Sequence, residues 1–119
     1  MIKIYKYIIK EIPPSNNQFI GRTNRWNYQE QKKRWAELIY FTCRPRPDKP
    51  LENVTVKITY YFKDKIRRDP DNYSGKMILD GLVRAGIIKD DCFNNINLIL
   101  IGRYDKQSPR TEIDIKKGD

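Results

Sequence analysis

Histidine is missing from all 119 residues. Its absence removes Ser-His-Asp and Cys-His nucleophilic machinery, histidine-bound zinc hydrolases and nucleases whose general base is an imidazole. Cysteine is almost missing too. Cys43 and Cys92 are the only two, too few for a zinc site without histidine or for a disulfide scaffold, and they fit a reducing compartment. No apolar run approaches the roughly 20 residues of a membrane span. The opening Met1-Ile2-Lys3-Ile4-Tyr5-Lys6 mixes charge with apolar residues, unlike a signal peptide, so a cytoplasmic protein is expected. No G-x-x-x-x-G-K-[ST] loop occurs, and no nucleotide cofactor is expected. If the chain is catalytic, carboxylates, lysines and a hard metal must do the chemistry.

What is abundant is positive charge. Lysine and arginine total 24 against 15 acidic residues, a net +9, which favours polyanionic partners through counterion release and steering. Nucleic acid leads as partner, with an anionic membrane surface second. The length suits one domain, residues 1 to 119, with one core and one site.

Residues 2 to 9 are β-branched and aromatic with interleaved lysines and predict a strand, which Pro13-Pro14 ends. Residues 14 to 25 are polar, turn-rich and basic, a loop open to solvent or ligand. From Tyr28 to about Cys43 the period becomes helical, with Tyr28, Gln31, Trp35, Leu38, Ile39 and Thr42 on one side and Asn27 as N-cap. Three prolines in residues 44 to 50 predict a short rigid connection. Val54, Val56, Ile58, Tyr60 and Phe62 alternate with Thr55, Lys57, Thr59 and Tyr61, a strand with one buried face. A second helix is predicted from about Tyr73 to Ala85, with Gly86 at C′. Residues 96 to 102 look apolar enough for a central strand, and 111 to 115 alternate like an edge strand. The order β-α-β-α-β-β predicts an α/β (α+β) fold, a small mixed sheet of about four strands with two helices on one face.

The segment from Lys63 to Asn72 joins the best strand to the second helix. Pro70 biases Asp69 toward extended backbone, which would aim the carboxylates of Asp69 and Asp71 the same way. Converging carboxylates repel unless a cation sits between them, and carboxylate oxygens suit Mg²⁺. Lys63, Lys65, Arg67 and Arg68 flank the pair, well placed to hold phosphates. Asp90-Asp91, after the second helix, offers one further ligand on chain reversal. Lys76, near the helix start and four residues before Asp80, could meet the scissile phosphate or attacking water.

Each feature also has an ordinary reading. D-P-D-N is what a turn and an N-capped helix look like, with Asp71 as the cap. Asp90-Asp91 suits a solvated turn, Lys76 with Asp80 a surface ion pair, and the basic run a solvated strand end. Trp26 and Trp35 read as core or staple residues rather than base-stacking platforms.

Three motifs, in order and spacing, shift the balance. Ile12-Pro13-Pro14-Ser15-Asn16-Asn17, then Arg67-Arg68-Asp69-Pro70-Asp71-Asn72 with Lys76 and Ile78-Leu79-Asp80-Gly81-Leu82, then Ala85-Gly86-Ile87-Ile88-Lys89-Asp90-Asp91 together resemble the RusA-type Holliday-junction resolvases. The resemblance implies a homodimeric, Mg²⁺-dependent endodeoxyribonuclease, with Mn²⁺ able to substitute, bacterial or encoded by a phage or prophage. Such an enzyme nicks four-way DNA junctions symmetrically in recombination and repair, leaving 5′-phosphate and 3′-hydroxyl ends. By position, Asp69, Asp71 and Asp91 match the family's metal-binding aspartates and Lys76 its lysine. Lys76 follows Asp71 by five residues where the family pattern has four. Arg22, Arg25, Lys65, Arg67 and Arg68 are the candidate DNA contacts. Two rival readings stay open: a non-catalytic basic nucleic-acid-binding module, and a related metal-dependent nuclease acting on other branched DNA or on RNA.

Overall fold

The strand with the cleanest alternation is the one around which the molecule is arranged. The computed structural model describes residues 3–19 and 25–117, the side chain of Arg25 excepted. Strand β1 is Lys3–Ile9, α1 Arg25–Thr42, β2 Val54–Phe62, α2 Lys76–Arg84, β3 Ile96–Tyr104 and β4 Arg110–Lys117. Single 3-10 turns occupy Asn16–Phe19 and Pro70–Tyr73. The expected β-α-β-α-β-β order is present, as a four-stranded mixed sheet ordered β1-β4-β2-β3. Only the β2–β3 pair is parallel, the helix-linked pair that needs a long crossover.

Alternation along the strands sorts the two faces. Tyr7 and Ile9 of β1, Val54, Val56, Ile58 and Tyr60 of β2, and Ile113 and Ile115 of β4 are buried in one cluster. The same cluster holds Trp35 and Ile39 of α1 and Met77, Ile78 and Leu82 of α2, so both helices cover that face. The opposite face carries ion pairs, Lys6–Glu112 at 3.7 Å and Lys57–Asp114 at 3.9 Å. Cys43 is buried, and burial pushes its thiol up to about 12; Cys92 is exposed.

Several sequence expectations are corrected. β4, expected at the edge, lies inside the sheet between β1 and β2, and β3, expected to be central, is an edge strand. Alternation in β4 records its one buried face and says nothing of neighbours: Glu112 and Asp114 are met by lysines from both flanking strands. The apolar run of β3 is largely solvent-facing. Helix α1 begins at Arg25 rather than after an Asn27 cap, so Asn27 lies in its first turn. Trp35 is core, but Trp26 is 71% exposed.

The second helix starts at Lys76 instead of Tyr73, because Gly75 at φ 81° breaks the chain between the 3-10 turn and the helix. That left-handed position favours glycine, and the space agrees: a Cβ there would lie 2.7 Å from Ile58 Cδ1. At the other end Gly86, at φ 75°, is the expected C′ residue. Its N–H donates to the Val83 carbonyl and that of Ile87 to the Leu82 carbonyl, the paired bonds of a Schellman motif.

Candidate metal and nucleic-acid site

The loop leaving β2 is built on one arginine. Arg68 pairs with Asp64 at 2.8 Å, donates to the carbonyls of Asp64 and Ile66, and lies over the Phe62 ring at 4.3 Å. The Arg68 hydrogen bond holds the Asp64 carboxyl below its ordinary range. Expected as a DNA contact, Arg68 is spent largely on holding its own loop. Arg67 points outward, 90% exposed, with Asp69 Oδ1 3.4 Å from its Nε. Lys65 Nζ stands 5.0 Å from the centre of the Tyr104 ring. Arg22, and the side chain of Arg25, fall outside the described residues.

Asp69 has the extended backbone that Pro70 imposes, φ −102° and ψ 142°. Its backbone carbonyl accepts the Asn72 N–H, while its side chain makes no capping bond. Asp71 sits in the 3-10 turn itself, so the alternation of an extended chain stops at Pro70, and Asp71 is not an N-cap of α2. Both carboxylates are exposed. Among the described residues no hydrogen bond or ion pair engages the Asp71 carboxylate, and Arg67 alone approaches that of Asp69.

What holds the turn was not evident from sequence. Tyr73, its last residue, packs edge-on against Tyr60 at 5.7 Å and Phe62 at 5.2 Å between ring centres. Asn16 Nδ2 donates to the Asp71 carbonyl at 3.0 Å and to Ser74 Oγ at 3.1 Å. Asn16 belongs to the Pro-Pro-Ser-Asn-Asn motif, and that was the available signal: a polar loop keeping register with a distant acidic turn. A small cavity beside the turn is lined by Tyr60, Phe62, Arg68, Asp69, Tyr73 and residues 100–102 of β3. The Tyr60 hydroxyl, buried by this packing, has no partner among the described residues, and burial pushes its phenol far up.

Lys76 opens α2, its side chain 59% exposed. Asp80 Oδ2 lies 4.0 Å from Lys76 Nζ and 3.6 Å from Lys32 Nζ of α1, a carboxylate shared between the two helices. The Asp90-Asp91 pair is exposed. The Asp90 carboxylate accepts the Asp91 amide at 2.8 Å and its carbonyl accepts Asn95 Nδ2 at 2.6 Å, which leaves the Asp91 carboxylate to solvent.

Asp69 and Asp71 share a turn that the structure sets beside the N-terminus of α2. Asp91 does not join them. It follows the other end of α2, whose nine residues span about 13 Å, in a segment bonded to Leu51 and Val54 near the start of β2. Among the described residues no three acidic or cysteine side chains converge on a metal position. Both carboxylates of the Asp69–Asp71 turn are exposed and neither side chain makes a capping bond, so their oxygens are of the donor type that a hard cation takes.

The family model described as Endodeoxyribonuclease RusA matches residues 11–116. No individual curated protein matches the chain.

Proposed function

Since this chain belongs to the RusA endodeoxyribonuclease family, the nucleases that resolve Holliday junctions, we propose that it cuts four-way DNA by paired, symmetric, Mg²⁺-dependent nicks during recombination or repair. The observation that carries this reading is the Asp69–Asp71 turn, two exposed carboxylates on a buttressed segment flanked by cations. Carboxylates so placed have no role in the core, and amid a net +9 chain they would repel the phosphates the rest attracts. A cation between carboxylate and phosphate removes that conflict.

Asp69 and Asp71 would hold Mg²⁺, or Mn²⁺ in its place, with Asp91 as third ligand. Bound there, the ion would supply an activated water and neutralise charge on the phosphate being attacked. Lys76, at the mouth of the turn, balances charge on the same phosphate. Arg67 and Lys65 hold neighbouring phosphates, joined by Arg22 and Arg25 from the loop before α1. Arg68 keeps the loop in shape. Because Asp91 of the same chain lies beyond the far end of α2, the third carboxylate comes from a second copy. Two scissile strands likewise ask for two sites, hence a homodimer.

The test is cleavage of a synthetic four-way junction beside linear duplex, with and without Mg²⁺. Symmetric nicks in the junction alone, abolished by chelation and restored by Mg²⁺, are expected. Binding without cleavage under every metal tried would make the chain a nucleic-acid-binding module and end the nuclease reading.

A further inference from the structure

Helices α1 and α2 finish side by side, and a groove of about 260 Å³ lies between their last turns. Ala36, Tyr40, Phe41 and Ala85 give it apolar walls, and the exposed Lys33, Glu37 and Arg84 also line it. Phe41 is 72% exposed and Tyr40 44%, and their rings meet edge-on at 5.1 Å. Ile4, Ile8, Leu98 and Ile99 are exposed as well, but along the edge strands of the sheet. Phe41 is on a helix, outside the core cluster and beside a concave surface, the setting in which exposed apolar side chains mark a binding site. Two arginines from the connection after α1 frame the same aromatic pair. The Arg46 guanidinium lies 4.5 Å from the centre of the Tyr40 ring and that of Arg44 5.7 Å. Arg46 also donates from Nη1 to the Ala85 carbonyl at 3.3 Å, so it is held in place before anything binds. Among the described residues Lys33, Arg44, Arg46 and Arg84 form no ion pair with a carboxylate, whereas Lys32, one residue from Lys33, is paired with Asp80.

We propose that this groove binds a short acidic peptide segment of another protein, one bulky apolar side chain seated against Tyr40 and Phe41 and its carboxylates on the surrounding cations. Charge complementarity selects the occupant: Lys33, Arg44, Arg46 and Arg84 stand against one carboxylate, Glu37. Size narrows it. The groove is smaller than the roughly 300 Å³ at which small-molecule pockets begin, and it has apolar wall enough for a single anchoring side chain. Duplex DNA matches the charge but brings no apolar group to cover Phe41, and its unbroken row of phosphates would meet Glu37. A peptide can set its carboxylates to either side of Glu37. The groove adjoins the last turn of α2, whereas the Asp69–Asp71 turn precedes the first, so an occupied groove leaves that turn open. The inference therefore goes beyond the nuclease reading and does not depend on it.

Fluorescence anisotropy with two labelled peptides tests this directly, one with aspartates flanking Leu-Phe and one with Gly-Gly in place of Leu-Phe. The full chain should bind the first roughly tenfold more tightly than the second. Phe41→Ser and Arg84→Glu should each weaken binding of the first peptide roughly tenfold or more, while Phe41→Ser leaves affinity for four-way and single-stranded DNA unchanged. Both side chains are exposed, and thermal unfolding checks that each variant is folded; if Phe41→Ser is not, Phe41→Leu takes its place in the DNA arms and Arg84→Glu carries the peptide arm. Failure to bind either peptide, or equal affinity for the two, would overturn the proposal. So would a loss of DNA affinity at position 41 that matches the loss of peptide, which would assign the groove to nucleic acid. Junction cleavage is scored separately: a chain that binds the peptide and never cuts DNA would sink the nuclease reading alone.

Discussion

Asn16 donates its side-chain amide to the backbone carbonyl of Asp71 at 3.0 Å, across 55 residues of chain. The same amide reaches Ser74 Oγ at 3.1 Å, so a single side chain spans the acidic turn from its second residue to its exit.

Asn16→Ala should therefore loosen the turn more than the fold. Stability should fall by about 1 kcal/mol, the ordinary worth of such bonds. The single-turnover cleavage rate should drop roughly tenfold, about 1.4 kcal/mol of barrier, with junction affinity unchanged. Thermal unfolding, gel shift and single-turnover kinetics on one preparation check it. Equal losses in rate and affinity would mean that Asn16 touches DNA instead.

Asp71→Asn should abolish Mg²⁺-dependent cleavage while junction binding holds or tightens. Asp71 caps no helix and its carboxylate has no partner among the described residues, so the change should leave the unfolding transition almost unmoved. Binding gains because a carboxylate facing phosphate is lost. A folded variant cutting at the wild-type rate would remove Asp71 from the chemistry.

Mixing Asp71→Asn chains with Asp91→Asn chains should restore part of the activity that each lacks. If every centre takes Asp69 and Asp71 from one chain and Asp91 from another, a mixed dimer holds one complete centre and one doubly defective one. Nicking of one strand pair should return, and paired resolution should not. Inactive mixtures that demonstrably exchange subunits would place all three carboxylates in one chain.

Much of this architecture was legible and some was not, for identifiable reasons. Alternation from Val54 to Phe62 locates β2 because each side chain there faces either core or solvent. The edge order was misread because periodicity reports which faces of a strand are covered, never which strands flank it. Ile99 and Ile113 are the same residue type at 44% and 0% exposure. The D-P-D turn was visible as chemistry, but its supports, Tyr60, Phe62 and Tyr73, are spread over the sequence and meet only in the fold. Asp91 is a neighbour of Asp69 only if the chain reversal after α2 returns to the helix start. The segment turns instead toward Leu51.

Gly75→Ala tests the break between turn and helix. It adds a Cβ 2.7 Å from Ile58 Cδ1 at φ 81°. The left-handed backbone and the clash together should cost about 2 kcal/mol, measured as a shift in urea midpoint at constant slope. An unchanged midpoint would mean that α2 has extended back through residue 75, shifting Asp71.

The pH profile of stability should be flat between about 5.5 and 7, since no histidine titrates there. Glu52, Asp64 and Asp105 have carboxyls held below their ordinary ranges by Lys89, Arg68 and Arg110. Depressed in the folded state, they contribute stability above the ordinary carboxylate range, lost as pH falls through their folded values. Unfolding midpoints should decline only as pH drops below about 4, and Asp64→Asn should flatten part of that limb. A midpoint already falling at pH 6 would reveal a perturbed group these contacts do not include.

β4 lies inside the sheet although it comes from the far end of the chain, and its register sets Lys3 against Lys117. The two strands that need it, β1 and β2, are therefore synthesised long before the ribosome delivers it. Until residues 110 to 117 emerge, the helices and β3 can close over Val56 and Ile58, but the strand that joins Tyr7 and Ile9 of β1 to the sheet is missing, and the loop to be closed runs from Lys3 to Lys117. Such non-local pairing makes folding slow and late. β1 is consequently the strand that docks last, since β4 is its sole link to the rest of the four-stranded sheet.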